Sequence, residues 1–523
     1  MEGGFGILTL VPPLVAIVLC FLTKRVLVSL FMGILAGGII IQGGNPFAGI
    51  EYSLDAIVGS ITDDWNARLL LFNLLMGSGV AFIWKLGGSK ALTKWAKERI
   101  KSRKAAGVGA WALGVIVFFN DYVNAAMVGG VFRDICDENR ISSERLSYIL
   151  DSTAAPVATL FLSDWIAFQI SMVQSGLDAA SIDGVSAFSV YLGSIPYNIY
   201  CILSVVFVLM LILTGKDYGP MLKAEHRTMS TGKVVRDGGA PMMDVSYELG
   251  EPKENPKATL STFFVPLIAL VGVTLFGFWW TGRPGENLME ILGNTDAAKA
   301  LLWGAFAMTL SGIFMSLSSK LMDLKETMDT FLDGFKLMLL ACGILVLAWS
   351  LGSVTGDMKL ADYIITLIGG NMPVWLLPIV IFIFGMLISF ATGTSWGTMT
   401  ILTPIAIPLA YKMTGDMAIV SAMAGVVFSG AIFGDHCSPI SDTTVLASIF
   451  SGADHIDHVT TQIPYAITVA AVSIGMYLLY GLVGVGPVIL LPLGIVILYF
   501  VMNMLSNHSS KKYGIDSITK KAL

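Results

Sequence analysis

Residues 434–446 read GDHCSPISDTTVL, a polar stretch inside the otherwise apolar region 417–451. The stretch places an acid, Asp435 or Asp442, on each side of Pro439. Because proline has no backbone N–H, Pro439 should break a helix that runs through this region. A helix that breaks within a bilayer must turn its freed carbonyls towards a polar cavity, since lipid offers them no partner. The stretch therefore predicts a broken membrane helix.

The first half of the chain contains a stretch of the same kind. Residues 151–165 read DSTAAPVATLFLSDW, in which Asp151 is followed by small polar residues and Pro156. The surrounding region 146–174 is apolar but interrupted. We therefore predict two broken helices, one in each half of the chain.

The composition indicates a membrane protein and excludes several other classes. Of the 523 residues, 55% are hydrophobic and 13% are charged, whereas about 25% are charged in typical soluble proteins. A chain this apolar cannot hide its hydrophobic surface in water, so the bilayer must be its solvent. The formal net charge of −5 and the lack of a basic domain argue against nucleic-acid binding. The five cysteines show neither metal-ligand spacing nor a disulfide framework, and we expect no cofactor.

Uninterrupted apolar runs predict spanning helices, and the basic residues between them predict the orientation. The runs long enough to cross ~30 Å of hydrocarbon are 5–23, 26–42, 67–84, 189–213, 259–280, 298–318, 337–354, 463–483 and 486–504. Most of the 32 Lys and Arg residues fall at 24–25 and in segments 85–104, 133–145, 215–258, 319–336 and 505–523. Basic segments stay on the cytoplasmic side. We therefore predict a multi-pass protein of the plasma membrane with its N-terminus outside and its C-terminus in the cytoplasm.

This orientation requires two re-entrant hairpins. Segments 85–104 and 133–145 are both assigned to the cytoplasm, so the apolar region 105–132 between them must enter the membrane and return. Its tip falls near residues 119–121. The same reasoning makes the region at about 373–414 a hairpin that enters from outside, with its tip at 392–395.

The order of elements in the two halves is the same, and their orientation is opposite. We predict an all-α polytopic membrane protein with inverted-topology repeats and about 11 transmembrane helices, the architecture of many secondary transporters. The predicted parts are a first repeat at 1–214, a polar cytoplasmic linker at 215–258, a second repeat at 259–484, and a last helix with its tail at 485–523.

Oxygen-bearing side chains cluster at the predicted breaks and hairpin tips. The acids at membrane depth are Asp121, Asp151, Asp164, Asp435 and Asp442, and the four interrupted elements contain no Lys or Arg except Lys412 at a predicted outer end. Ionisable groups within a membrane are costly and usually functional. Carboxylates without a basic partner indicate that a cation, Na⁺ or H⁺, binds there.

The candidate ion- and substrate-binding residues are Asn120, Asp121, Asn124, Asp151, Ser152, Thr153, Thr394, Ser395, Asp435, His436, Ser438, Asp442 and Thr443. Those expected to bind Na⁺ are Asn120, Asp121, Thr394, Ser395, Asp435 and Asp442. Structural alternatives stay open for three of them: a helix cap at Asp121, a surface ion pair of Asp151 with Arg145, and a hydrogen-bonded structural role for His436. The pair His455 and His458, near Asp454 and Asp457, fits a solvated turn better than a metal site.

The strings GTSWGT at 393–398, GDHCSPISDTT at 434–444 and DSTAAP at 151–156 resemble the signatures of the NhaC-type Na⁺/H⁺ antiporter family, within the ion transporter superfamily. The resemblance covers roughly residues 105–465. It implies the fold and coupling to Na⁺ and H⁺. It leaves the solute open, because the family includes Na⁺/H⁺ exchangers, exchangers of organic anions such as malate and lactate, and members that transport amino acids.

We rank sodium:proton antiport by alternating access first, Na⁺- or H⁺-coupled amino-acid transport second and organic-anion exchange third. A site lined with acids and without Lys or Arg suits a bare cation, and it suits a dicarboxylate least. A channel or a membrane enzyme are the alternatives from other classes, and the inverted repeats with two broken crossings favour a transporter over both. The expected partners are membrane lipids and a small ion or small-molecule solute. A homodimer stays open.

Overall fold

The computed structural model describes residues 5–23, 26–118, 120–161, 163–240, 259–283, 291, 294–360, 363, 372–439 and 441–515. Within these ranges the chain is almost entirely helical, and we find no β-strand there. The helices of the first half are α1 Val11–Thr23, α2 Val26–Ile41, α3 Pro46–Thr62, α4 Asp64–Lys85, α5 Gly88–Arg99, α6 Arg103–Ile116, α7 Asp121–Glu138, α8 Ser143–Thr153, α9 Ala155–Ala158, α10 Asp164–Ala179, α11 Ala187–Ser194, α12 Ile199–Thr214 and α13 Gly219–Thr231. Those of the second half are α14 Ser261–Thr281, α15 Ala297–Ser318, α16 Leu324–Asp357, α17 Leu377–Thr392, α18 Ser395–Thr414, α19 Met417–Asp435, α20 Asp442–Ser451, α21 His455–Val483 and α22 Pro487–Tyr513.

Seven helical segments in the described ranges are long and apolar enough to cross a bilayer, and they confirm the predicted all-α membrane fold. They are α4, α14, α15, α19, α21, α22 and the stretch Ile199–Thr231 that holds α12 and α13. Shorter apolar helices accompany them, at Gly6–Ala16, Leu27–Ile41, Cys342–Asp357 and Val374–Phe390. The number of crossings and the inverted topology stay predictions.

All four predicted interruptions coincide with helix ends. The hairpin region 105–132 divides between α6 and α7, and the region 373–414 divides between α17 and α18 at Gly393, whose φ of 69° suits glycine. The broken crossing 146–174 divides among α8, α9 and α10. The crossing 417–451 ends at Asp435 and resumes at Asp442.

The chain forms two compact units, each built from both predicted repeats. The first, unit 1, comprises Met1–Ile83, Asp164–Tyr197 and Phe264–Ala431, and the second, unit 2, comprises Trp84–Ser163, Asn198–Phe263 and Ile432–Leu523. Both breaks that follow Asp151 and Asp435 lie in unit 2. Most of the candidate site residues therefore belong to one compact body.

Several helix bounds differ from the sequence expectation. The segment 215–258, expected to be a polar linker, begins with a packed helix. This helix, α13, belongs to unit 2 and buries Met221, Leu222 and Glu225. The predicted span 463–483 begins earlier, at His455, since Asp454 caps the helix by accepting the backbone N–H groups of Ile456 and Asp457. This second difference alters the candidate site.

Candidate functional site

Asp151 on α8 is the most deeply buried of the candidate acids whose side chains the structure describes, with 0% of its surface exposed. Its Oδ2 accepts a hydrogen bond from Gln462 Nε2 at 2.8 Å and lies 3.2 Å from His458 Nε2. Its Oδ1 has no hydrogen-bond partner among the described residues. The surface ion pair with Arg145 does not form, because Arg145 pairs with Asp217 instead. Asp151 is therefore a buried carboxylate held by two side chains of α21.

His458 and Gln462 correct the sequence interpretation of this region. The turn around His458 was expected to be solvated, yet His458 and Gln462 are both fully buried. They lie four residues apart on α21 and so share one face of the helix. The signal was present as a His and a Gln at helical spacing before an apolar run. It was missed because the helix was expected to begin at residue 463.

A second set of hydrogen bonds connects α8 with the break after Asp435. Ser152 Oγ and His436 Nε2 are 2.7 Å apart, and His436 Nδ1 lies 2.8 Å from the hydroxyl of Tyr200 on α12. Tyr148, one helical turn before Ser152, stacks on the His436 ring with centroids 6.2 Å apart. His436 thus uses both ring nitrogens inside the protein. Tyr148 and Tyr200 were not among the residues selected from the sequence.

Asp435 is surrounded by hydroxyl groups from the residues that follow it. Its Oδ1 accepts hydrogen bonds from Ser441 Oγ at 2.7 Å and Thr443 Oγ1 at 3.1 Å, and its backbone carbonyl accepts one from Thr444 Oγ1 at 3.0 Å. Ser441 also caps α20 by accepting the Thr444 N–H. Carboxylate, carbonyl and hydroxyl oxygens are the ligands that hard cations prefer. The break therefore gathers a set of oxygens that suits a small cation.

Asn124 on α7 braces the ends of two helices. Its Nδ2 donates to the carbonyls of Gly114 at 2.6 Å, Val117 at 3.1 Å and Thr153 at 2.9 Å. These carbonyls lie where α6 and α8 end, so the amide satisfies acceptors that the breaks leave free. The buried Asn124 Oδ1 has no partner among the described residues. Thr153 Oγ1 donates to the Ile149 carbonyl at 2.8 Å within its own helix.

The remaining predicted residues divide between the two units. Asn120, Asp121 and Ser438 are buried in unit 2, at the tip before α7 and in the break after Asp435. Thr394 and Ser395 belong to unit 1, where Thr394 caps α18. The side chains of Asp164 and Asp442, which begin α10 and α20, lie outside the described part of the structure.

Three arginines in unit 2, one buried and two partly buried, are paired with acids. The Arg145 guanidinium bonds to Asp217, whose Oδ1 also accepts the Tyr465 hydroxyl at 2.7 Å. Arg227 pairs with Glu144 at 2.8 Å, and Arg103 pairs with the buried Glu225. No Lys or Arg in the described part of unit 2 pairs with Asp151. The positive charges of this region are thus already compensated, whereas the Asp151 carboxylate has only neutral or titratable partners.

A polar strap, residues 232–240, lies against the start of α21. Arg236 Nε is 2.5 Å from Asp457 Oδ2, and the Ala240 N–H donates to Asp454 Oδ2 at 3.0 Å. Burial raises the pKa of Asp454, but the backbone N–H groups that it accepts and the Arg236 guanidinium outweigh burial and hold its pKa below the usual value. The strap is therefore fastened by charge a few residues before His458.

Comparisons with known proteins agree with this fold. The model of the Na⁺/H⁺ antiporter family matches residues 157–482. An uncharacterized protein of Haemophilus influenzae is 31% identical over 494 residues, which cover 92% of each chain. The helical membrane fold and these matches define a secondary transporter. The chain belongs to the Na⁺/H⁺ antiporter family.

More distant relatives match over shorter segments. An uncharacterized Na⁺/H⁺ antiporter of Haemophilus influenzae is 26% identical over 42% of each chain. The malate-2H⁺/Na⁺-lactate antiporter of Bacillus subtilis is 36% identical over 18% of this chain and 20% of its own. Among solved structures, the YdaH transporter of Alcanivorax borkumensis superposes with a TM-score of 0.52 at 16% identity, over 84% of this chain and 90% of that one. That likeness concerns the fold alone.

Proposed function

We propose that this transporter exchanges Na⁺ for H⁺ across the plasma membrane by alternating access. The observation that carries the proposal is the buried Asp151 carboxylate, which no described Lys or Arg of unit 2 neutralises. An uncompensated charge in a membrane interior is expensive. Such a carboxylate is stable only when a cation accompanies it, and H⁺ and Na⁺ are the cations that suit oxygen ligands at this depth.

The break after Asp435 supplies the Na⁺ ligands in this proposal. Asp435, Ser441 and Thr443 contribute carboxylate and hydroxyl oxygens within hydrogen-bond distance of one another. Asn120, Asp121 and Asp442, which belong to the same unit as Asp435, are further members of the proposed ligand set. Na⁺ and H⁺ are transported ions in this scheme, and no cofactor takes part.

Transport of an organic solute is the second candidate. Pairing of Arg145 with Asp217 leaves no free guanidinium there for a dicarboxylate, so the structure favours malate-type exchange least. A zwitterionic amino acid fits better, because its ammonium group could pair with an aspartate and its carboxylate with a helix N-terminus. The malate-2H⁺/Na⁺-lactate antiporter of Bacillus subtilis and the arginine/ornithine antiporter ArcD of Halobacterium salinarum, which is 35% identical over 19% of this chain, are named for organic solutes of both kinds. The substrate must therefore be determined by experiment.

Purified protein in liposomes tests the proposal directly. With an acidic lumen and no organic solute, we expect accumulation of ²²Na⁺ that stops when an ionophore collapses the proton gradient. Uptake that appears only after an amino acid or a carboxylate is added would replace Na⁺/H⁺ antiport by solute transport.

The proposed orientation has its own test. Cysteines introduced one at a time into 85–104 should react with an impermeant maleimide only from the cytoplasmic side. Labelling of 133–145 from outside would remove the re-entrant hairpin at 105–132.

A further inference from the structure

We propose that Asp151, His458 and Gln462 form the proton-carrying site of this transporter, distinct from the Na⁺ ligands around Asp435. The inference rests on the proposed Na⁺/H⁺ exchange and adds to it the residues that bind the proton. Two of the three residues, His458 and Gln462, have no counterpart in the family-like strings.

The three side chains form a cluster with more hydrogen-bond acceptors than donor hydrogens. All three are fully buried. Asp151 Oδ1, His458 Nδ1 and Gln462 Oε1 each lack a hydrogen-bond partner among the described residues. Buried polar atoms are nearly always paired, and a group of unpaired acceptors needs hydrogens to be satisfied. Binding of a proton supplies one.

The contacts of Asp151 Oδ2 also favour binding of H⁺ over binding of Na⁺. Asp151 Oδ2 is already in contact with two side-chain nitrogens, at 2.8 and 3.2 Å. A Na⁺ ion at Oδ2 would have to displace these donors and gather several oxygens around itself. A proton needs no cavity and can bind to the existing pair. Because Asp151 and His458 interact, the proton belongs to the pair and not to either residue alone.

Other ionisable groups near Asp151 contact partners other than Asp151. On the same helix, Arg145 is paired with Asp217, and Tyr148 packs against His436. The neighbouring elements carry these further ionisable groups: Arg103 of α6, Asp121 of α7, Tyr200 of α12, Glu225 of α13, Asp435, His436 and Cys437 at the second break, and His458 and Tyr465 of α21. Arg103 and Glu225 neutralise each other. Among the described side chains, His458 is therefore the one in direct contact that can share a proton with Asp151.

One hydrogen bond joins the residues that follow Asp151 and Asp435 in the chain. Ser152 follows Asp151 and lies 2.7 Å from the ring of His436, which in turn follows Asp435. Movement of the break on Na⁺ binding would therefore reach α8 through a single side-chain contact. This arrangement gives a physical route by which Na⁺ at one break could expel the proton held at the other.

Proton release on Na⁺ addition tests the site without transport. In weakly buffered detergent solution, we expect Na⁺ to release protons from the unaltered protein and from Asp151→Glu, and not from Asp151→Asn. All variants are measured over the same range of Na⁺ concentrations, up to one that saturates release from the unaltered protein, and are checked for folding by gel filtration. Asp134→Asn, at an exposed ion pair with Lys97, is the matched control and should release protons as the unaltered protein does. Equal release from Asp151→Asn would overturn the proposal.

His458 is tested by the pH profile of uptake. His458→Gln keeps a donor near Asp151 but loses the imidazole, the only described contact that can carry positive charge. Because the proton then has only the Asp151 carboxylate to bind, we expect the midpoint of ²²Na⁺ uptake to move to lower pH. A rate that falls by the same factor at every pH would show a structural role only and contradict the inference. Absence of gradient-driven uptake in the unaltered protein would instead remove the proposed function itself.

Discussion

The breaks after Asp151 and Asp435 share a sequence pattern but organise their oxygens differently. The first break runs from Ala154 to Ser163. Its acid, Asp151, is contacted by two side chains of a different helix, His458 and Gln462 of α21. The second break spans only residues 436–441. Its acid, Asp435, accepts hydrogen bonds from hydroxyl groups that follow it closely in sequence. A partner with an imidazole suits a proton, whereas a shell of hydroxyls suits a metal cation. The same sequence pattern can therefore support the binding of two different ions.

The largest expected effect comes from removing the acid of the second break. Asp435→Asn keeps the shape of the side chain but deletes the charge that the Na⁺ ligand set requires. We expect gradient-driven ²²Na⁺ uptake to fall at least about 100-fold, since a lost charge contact of ~3 kcal/mol corresponds to that factor. Asp134→Asn, with its exposed carboxylate, is the control and should keep full uptake. Uptake by Asp435→Asn at the unaltered rate would take Asp435 out of the site.

The first break depends on a close approach between α6 and α8. A Cβ at Gly114 would overlap the side chain of Thr153, with 2.6 Å to its Cβ, so Gly114→Ala must push the end of α8 away. We expect a loss of about 1–3 kcal/mol in the free energy of unfolding, as for other overpacked cores. Thermal unfolding in detergent measures it, with Gly130→Ala as control, because a Cβ at Gly130 meets nothing within 4 Å. If both variants unfold at the same temperature, the packing of this break is looser than the structure shows.

The second break depends on one serine that both caps α20 and bonds to Asp435. Ser441→Ala removes both contacts and should cost about 0.5–2 kcal/mol, the usual effect of losing an N-cap. We also expect the Na⁺ concentration for half-maximal uptake to rise. Ser473→Ala, which removes a hydroxyl that bonds only within its own helix, should leave that concentration unchanged. An unchanged Na⁺ requirement in Ser441→Ala would exclude the hydroxyl from the ligand set.

The polar strap near the start of α21 should give the smallest effect. Arg236→Ala removes a half-exposed ion pair, which contributes about 0.2–1 kcal/mol. Because the pKa of Asp454 is lowered by folding, its contribution is present at neutral pH and is lost as the pH falls below the ordinary Asp value of about 3.9. Limited proteolysis within 232–240 should be faster in Arg236→Ala and in the unaltered protein at low pH. Equal cleavage rates would show that charge does not fasten the strap.

Local chemistry made the breaks and their acids predictable from the sequence. Pro156 and Pro439 each indicate a helix interruption. Asp151 and Asp435 stand out because ionisable groups within a membrane are costly and usually functional. The partners of Asp151 were not predictable in this way, since His458 is 307 residues away in the chain and meets it only through the packing of α21 against α8. Asn124 was expected to bind an ion, and its amide proves to brace three carbonyls, a geometry that no spacing rule reveals.

The central claim, that one break carries Na⁺ and the other H⁺, is tested most directly by driving the exchange with Na⁺ alone. Proteoliposomes that contain a trapped pH dye and no organic solute receive an inward Na⁺ gradient, and the lumenal pH is followed. We predict that the lumen becomes alkaline with the unaltered protein and with Asp134→Asn, and that neither Asp151→Asn nor Asp435→Asn supports the change. Alkalinisation that persists in either of these two variants, or that appears only after an amino acid or a carboxylate is added, would contradict the claim.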